Sequence, residues 1–211
     1  MVTRIMCIAA LLGCMLSGVA KADYMYSLSF TADGSAAGPF SGLSGSNLSV
    51  PVYLVETGTQ GAGPTGLANG MGLGASNFDF SSGTSTLTSF SNSLSVLPPT
   101  VTGSYQISAS GLIPGVAGTP FVGGNSVQVG TLNLTLGPAG STTIALAASS
   151  NPVATNTYTM FTPPAGVPVV NGIAGSFASS TLNVTAVPEP SSLALLTLTA
   201  CGLVLRRKRN S

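Results

Sequence analysis

The stretch Val127-Gln128-Val129-Gly130-Thr131-Leu132-Asn133-Leu134-Thr135-Leu136 alternates apolar and polar side chains. A period of two is the mark of a half-buried β-strand. Val127 and Val129 fall on one parity, and Leu132, Leu134 and Leu136 on the other. The change at Gly130-Thr131 predicts a β-bulge, where one extra residue re-aims the strand. Gly137-Pro138-Ala139-Gly140 then reads as a turn, and Ile144 and Leu146 restart the alternation. Two alternating runs around a Gly/Pro turn predict a β-hairpin.

The same period recurs outward from this stretch. Tyr26, Leu28 and Phe30 alternate with small residues, as do Val50, Val52 and Leu54. Phe78 and Phe80 flank Asp79. Val101, Tyr105, Ile107 and Ala109 read as one face of a strand, and Leu182, Val184 and Ala186 as a last strand. Gly- and Pro-containing breaks separate the runs at 58–74, 98–99, 111–124 and 163–172. The Gly-rich stretch around 57–76 reads as a surface loop. Short strands at this spacing predict an all-β fold, a single antiparallel β-sandwich, with an up-and-down barrel as the alternative. Disorder is the competing reading. However, Gly and Pro, at 27 and 14 of 211 residues, stay below the level of low-complexity chains, and apolar residues make up 44%.

Charge is confined to the ends. All six basic residues are Arg4, Lys21, Arg206, Arg207, Lys208 and Arg209. Residues 23–186 hold only Asp23, Asp33, Glu56 and Asp79, a net charge of about −4 near neutral pH. A body without Lys or Arg cannot neutralise phosphates, so no nucleic-acid partner is expected. The three cysteines, Cys7, Cys14 and Cys201, all lie in terminal apolar segments, and the chain has no His. Ser-His and Cys-His nucleophile pairs are therefore excluded from the body, as are zinc sites and a disulfide framework.

The carboxylates are read as solvated surface groups. The enzymatic alternative is a carboxylate-dependent hydrolase, which needs two of Asp33, Glu56 and Asp79 about 5–10 Å apart in a cleft. Asp33-Gly34-Ser35 reads as a turn. Calcium is the one metal whose oxygen ligands the body could supply, but no calcium-loop spacing occurs. No cofactor, metal or catalytic residue is assigned. Asn47, Asn133 and Asn183 begin N-x-Ser/Thr sequons. Tyr24, Tyr26, Tyr53, Tyr105 and Tyr158 are the candidate contacts of a carbohydrate- or protein-binding face, with core or edge packing as the plainer role.

Both ends read as addresses. Residues 1–22 have the parts of a secretory signal peptide: Arg4, an apolar run from Ile5 to Leu16, and the A-x-A cleavage site Ala20-Lys21-Ala22. An uncleaved membrane helix is the alternative. A loose lipobox at Leu11-Leu12-Gly13-Cys14 is another. Residues 187–211 hold Val187-Pro188-Glu189-Pro190, a nearly uncharged run from Ser191 to Leu205, and the basic stop Arg206-Arg207-Lys208-Arg209. The run would span about 22 Å as a helix, short of the ~30 Å hydrocarbon core. The basic cluster stays on the cytoplasmic side by the positive-inside rule.

These last residues resemble the PEP-CTERM sorting domain of exported proteins in Gram-negative bacteria. The resemblance rests on Pro188-Glu189-Pro190, the Leu-rich run with Gly202, and the basic cluster at 206–209. It implies recognition by an exosortase, a multi-pass membrane cysteine protease-transpeptidase, with processing in or near Pro188-Glu189-Pro190. It also implies a membrane helix that is retained or transient, and delivery to the cell surface or extracellular matrix, where polysaccharide is a candidate partner. The strand order from Val50-Pro51-Val52-Tyr53-Leu54 through Phe78-Asp79-Phe80 to Val127–Leu136 is similar to that of cohesin-type β-sandwiches.

Overall fold

A computed structural model describes residues 24–187, apart from 59–65, 96–97, 103–104, 112–114, 152–155, 163–166 and 173. The proposed signal peptide, with Ala20 and Ala22, lies outside the described residues. So do Pro188, Glu189, Pro190, the apolar run 191–205 and the basic stop Arg206, Arg207, Lys208 and Arg209. No helix among the described residues is long and apolar enough to cross a membrane.

Strong alternation produces the two longest strands. In β3 (Asn47–Thr57) and β10 (Gly124–Thr135), Val50, Val52, Leu54, Val127, Val129, Leu132 and Leu134 are all buried. The two pair antiparallel over their whole length, from Gly124↔Thr57 to Thr135↔Asn47. Around them lie β1 (Met25–Ser29), β5 (Thr86–Asn92), β9 (Thr119–Phe121) and β14 (Ser176–Phe177). The sheet order is β14-β1-β3-β10-β5, with β9 also on β10.

The second sheet holds β2 (Phe40–Leu43), β4 (Gly72–Ser81), β11 (Gly140–Ala148), β12 (Tyr158–Thr162), β13 (Val167–Gly172) and β15 (Ser179–Thr185). Their order is β13-β12-β4-β11-β15-β2. The hairpin β6 (Thr100–Thr102) and β7 (Gln106–Ser110) and the short β8 (Val116–Ala117) attach to the other edge of β4. Inward side chains of both sheets form one hydrophobic core, in which Phe78 meets Phe90 edge-on at 5.8 Å. The chain is an all-β sandwich of two sheets.

Several sequence expectations are corrected. The run 127–146 is not a hairpin. β10 has β3 and β5 on its two edges, while β11 sits between β4 and β15 in the other sheet. Residues 136–139 therefore cross between sheets. The sandwich is not purely antiparallel, because β14 runs parallel to β1 and β2 parallel to β15. The stretch 57–76 is only partly loop: Leu67–Asn69 forms a 3-10 turn, and Leu67, Met71 and Leu73 are buried. The breaks 111–124 and 163–172 contain β8, β9 and β13. Residues 101–109 fold back as β6 and β7, which leaves Val101 exposed on the outer strand. Ala186 follows β15 rather than ending it.

The bulge that the parity change predicts at Gly130-Thr131 falls one residue earlier. The β10–β3 register shifts between Gln128 and Gly130, so Val129 is the extra residue. Gly130 is required there. A Cβ at this position would run into the Ser91 carbonyl and the Phe90 ring, which lie against the strand.

Candidate functional site

Three places in the fold could carry function: the carboxylates, the outer sheet faces, and the pole where the chain leaves β15. The carboxylates do not converge. Asp33 is exposed in the turn after β1, accepting bonds from the Ser35 hydroxyl at 2.7 Å and the Ser35 N–H at 3.0 Å. These bonds, the hydroxyl first, hold its carboxyl below the usual aspartate range.

Asp79 points outward from β4. Its Oδ2 accepts the Ser150 N–H at 3.1 Å, and its Oδ1 is buried with no partner among the described residues. Glu56 sits near the end of β3 in the first sheet and is 1% exposed, which corrects its reading as a surface group. The hydrolase pair is thus not assembled: one carboxylate is on a turn, one is interior, and one lies on the outside of the other sheet. No group of three or more His, Cys, Asp or Glu occurs among the described residues.

Glu56 is the feature that sequence reasoning missed. A buried carboxylate is tolerated when donors replace its water. Three do so here. The Tyr26 hydroxyl donates to Oε2 at 2.7 Å, the Leu67 N–H to Oε2 at 2.6 Å, and the Ala68 N–H to Oε1 at 2.8 Å. The two amides belong to the start of the 3-10 turn, whose first N–H groups have no partner within it. Glu56 thus ties β3, β1 and the turn together.

Gly66 completes the fit. Its φ of 150° suits glycine, and a Cβ there would lie 2.5 Å from Glu56 Oε2. The Tyr26 ring packs on that of Tyr158 at 4.5 Å between centroids. Burial, then the bond to Glu56, pushes the Tyr26 hydroxyl well above its ordinary pKa, so it stays a donor. Burial and the Glu56 charge also raise Tyr158. A carboxylate whose oxygens are filled in this way holds structure. It is not presented to a substrate.

The tyrosines form no exposed cluster. Tyr26 and Tyr158 are buried, and Tyr24, Tyr53 and Tyr105 are half-buried. Tyr105 packs on Phe80, and its hydroxyl accepts the Leu87 N–H at 3.4 Å.

Asp79 apart, the outer faces are uncharged among the described residues, but they differ in how their polar groups are used. On the first sheet, Asn133 is a hub. It accepts from Ser49 at 2.9 Å and donates to Ser89 at 3.1 Å and Ser91 at 3.2 Å. Thr135 donates to Asn47 at 3.2 Å. On the second sheet, a groove of about 570 Å³ runs along β11 and β15. Thr143, Ser179, Thr181 and Asn183 line it beside Ala37 and Pro39, and these four side chains are exposed with no hydrogen bond among the described residues.

The third place is the exit of the chain. β15 ends at Thr185, and Ala186 and Val187 are exposed beyond it. Residues 186–209 match the PEP-CTERM protein-sorting motif, as the resemblance implied. No curated protein matches the chain. Among solved structures, it is similar to the cohesin CaCohA2 from Clostridium acetobutylicum, at 14% identity and a TM-score of 0.43 over 76% of this chain and 91% of that one. A non-cellulosomal cohesin from the archaeon Archaeoglobus fulgidus gives 12% identity and a TM-score of 0.43 over 82% and 97%. The seventh ScaB type I cohesin from Pseudobacteroides cellulosolvens gives 8% and 0.44 over 79% and 96%.

Proposed function

We propose that this chain is an exported, non-enzymatic surface or matrix protein of a Gram-negative bacterium, delivered by its tail and processed by an exosortase. The observation that carries the reading is the sorting motif at 186–209, which begins directly after the last strand. Pro188, Glu189 and Pro190 are the recognition signature in this reading, and Arg206, Arg207, Lys208 and Arg209 hold the tail in the inner membrane. Ala20 and Ala22 mark the leader's cleavage site. The scattered carboxylates support a role without catalysis.

Intact-mass measurement on cells with and without the exosortase tests the reading. With the enzyme, the mass is expected to fall by the residues beyond the Pro-Glu-Pro signature, and the protein to leave the inner membrane. An intact tail and an unchanged distribution in both strains would refute it.

A second reading is a module that binds an uncharged polyhydroxylated polymer. The groove on β11 and β15 favours it, because its four polar side chains are uncommitted and none is charged. Co-sedimentation with the host's neutral exopolysaccharide is then expected to be insensitive to salt. Replacing Thr143 and Thr181 together by Ala should weaken it about tenfold, the loss of two modest hydrogen bonds. Steep salt dependence, or no response to the double substitution, rules the groove out.

A further inference from the structure

We propose that the pole where β15 leaves the sandwich lies against the bilayer while the tail is attached, its turns forming a lipid-facing surface. The proposal rests on the reading of residues 191–205 as a membrane segment. Three observations lead to it.

The first is the length of the tether. Five residues, 186–190, separate the end of β15 from the apolar run. Fully extended they reach at most about 17 Å. The headgroup layer on each side of the hydrocarbon takes up roughly 6 Å of that. Two prolines in the tether also limit how far it can fold back. The exit pole is therefore held within a few residues' reach of the headgroups.

The second is composition. This pole is made of the turns 43–46, 82–85 and 136–140 and the exit 185–187, none of which holds a charged residue. Leu43 and Val187 are 50% and 49% exposed there, and Pro138 and Ala139 are exposed beside them. Met25 and Val122 are exposed at the opposite pole, at 68% and 103%. Apolar exposure alone thus does not choose between the poles, and the exit point does.

The third is rigidity. The Ser44 N–H donates to the Thr185 carbonyl at 2.9 Å, so the turn carrying Leu43 is bonded to the last residue of the exit strand. The Gly45 N–H donates to the Leu136 carbonyl, and the Leu136 N–H to the Ser46 carbonyl, both at 2.9 Å. The Ser44 hydroxyl donates to the Gly137 carbonyl at 2.8 Å. The pole therefore moves with the exit strand as one piece.

Two aliphatic side chains make a weak contact that persists because the tether keeps its effective concentration high. Cutting the tail removes that concentration, so the sandwich leaves the membrane once processed. With no charge at the pole, the contact depends on neither salt nor anionic lipid.

The chain has no Trp, so a single introduced Trp reports alone. The chain from Asp23 to Ser211, the form that leader cleavage leaves, is placed in phosphatidylcholine vesicles containing brominated lipid, as the variants Leu43→Trp, Val122→Trp and Leu196→Trp. Circular dichroism matching the parent establishes that each is folded. Strong quenching of the Trp at 196, clear quenching at 43 and none at 122, all unchanged in high salt, is the expected result. Quenching at 196 without quenching at 43 overturns the proposed pole while the anchor stands. Quenching at 122 in place of 43 assigns the opposite pole and overturns it as well. No quenching at 196 instead overturns the reading of residues 191–205 as a membrane segment.

Discussion

Replacing Glu56 by Ala is expected to lower the stability of the sandwich by about 3 kcal/mol, roughly 1 for each hydrogen bond removed. For a domain of this size that corresponds to a drop of about 6–12 °C in Tm. The Leu67 and Ala68 N–H groups lose their acceptor at a buried turn, and the Tyr26 hydroxyl loses its partner in the core. A cleft of about 420 Å³ lined by Tyr24, Tyr26, Thr57 and Tyr158 opens nearby, and water entering from it can re-satisfy the hydroxyl. The turn amides then account for most of the loss.

Glu56→Gln separates charge from shape. Its amide must turn an N–H₂ group toward either the Leu67 or the Ala68 N–H, so donor meets donor whichever way it is placed. Its Tm is expected to fall between those of the parent and the Ala variant. Thermal unfolding followed by circular dichroism measures both. An Ala variant within about 1 kcal/mol of the parent would mean that the carboxylate does not hold the turn.

Glu56 also marks the limit of what the sequence could tell. In Leu54-Val55-Glu56-Thr57 the period of two puts Glu56 on the inward parity of Val50, Val52 and Leu54, yet a carboxylate at the end of such a run reads as solvated. Here both Val55 and Glu56 are buried. Val55 is covered by the turn after β1, where Gly34 approaches it, and Glu56 by the 3-10 turn at Leu67–Asn69. Both covers are distant or follow a Gly-rich stretch, and no local pattern encodes them.

The hairpin expectation failed for a related reason. A Gly-Pro turn between two alternating runs has the same chemistry whether the strands pair or part. What separates them is that β3 and β5 already fill both edges of β10. By contrast, Val50, Val52, Leu54, Phe78, Phe80, Leu132, Leu134, Leu182 and Val184 were legible, because the period of two and burial on one face are the same fact seen twice. The bulge was legible too, since a change of parity is its local cost. The sorting tail was the clearest of all. Its parts are contiguous and are read by other molecules, so no fold stands between the residues and their meaning.

Ending the chain at Val187 is expected to leave its unfolding transition unchanged, and ending it at Ala178 to abolish folding. β15 is an interior strand that pairs with β11 from Gly140↔Val184 to Ala145↔Ser179 and with β2 from Leu182↔Phe40 to Thr185↔Leu43. It buries Leu182 and Val184 in the core. Losing two core aliphatics costs several kcal/mol by itself. Losing both ladders leaves β11 with one bare edge and β2 with no partner. A margin of about 5–15 kcal/mol does not survive that. Circular dichroism melting of the two truncated chains separates the cases, and a cooperative transition in the shorter one would refute the placement of β15 between β11 and β2. The consequence reaches the processing step. Among the described residues the last strand ends at Thr185, and the sorting motif starts at 186. Any cut upstream of 186 would erode the sandwich, whereas a cut at Pro188-Glu189-Pro190 leaves every described strand whole. Proline at 188 and 190 also stops β15 from extending into the tail, because each lacks the N–H a ladder requires. The prolines that would mark the tail for cutting therefore also lack the donors that a longer β15 would need.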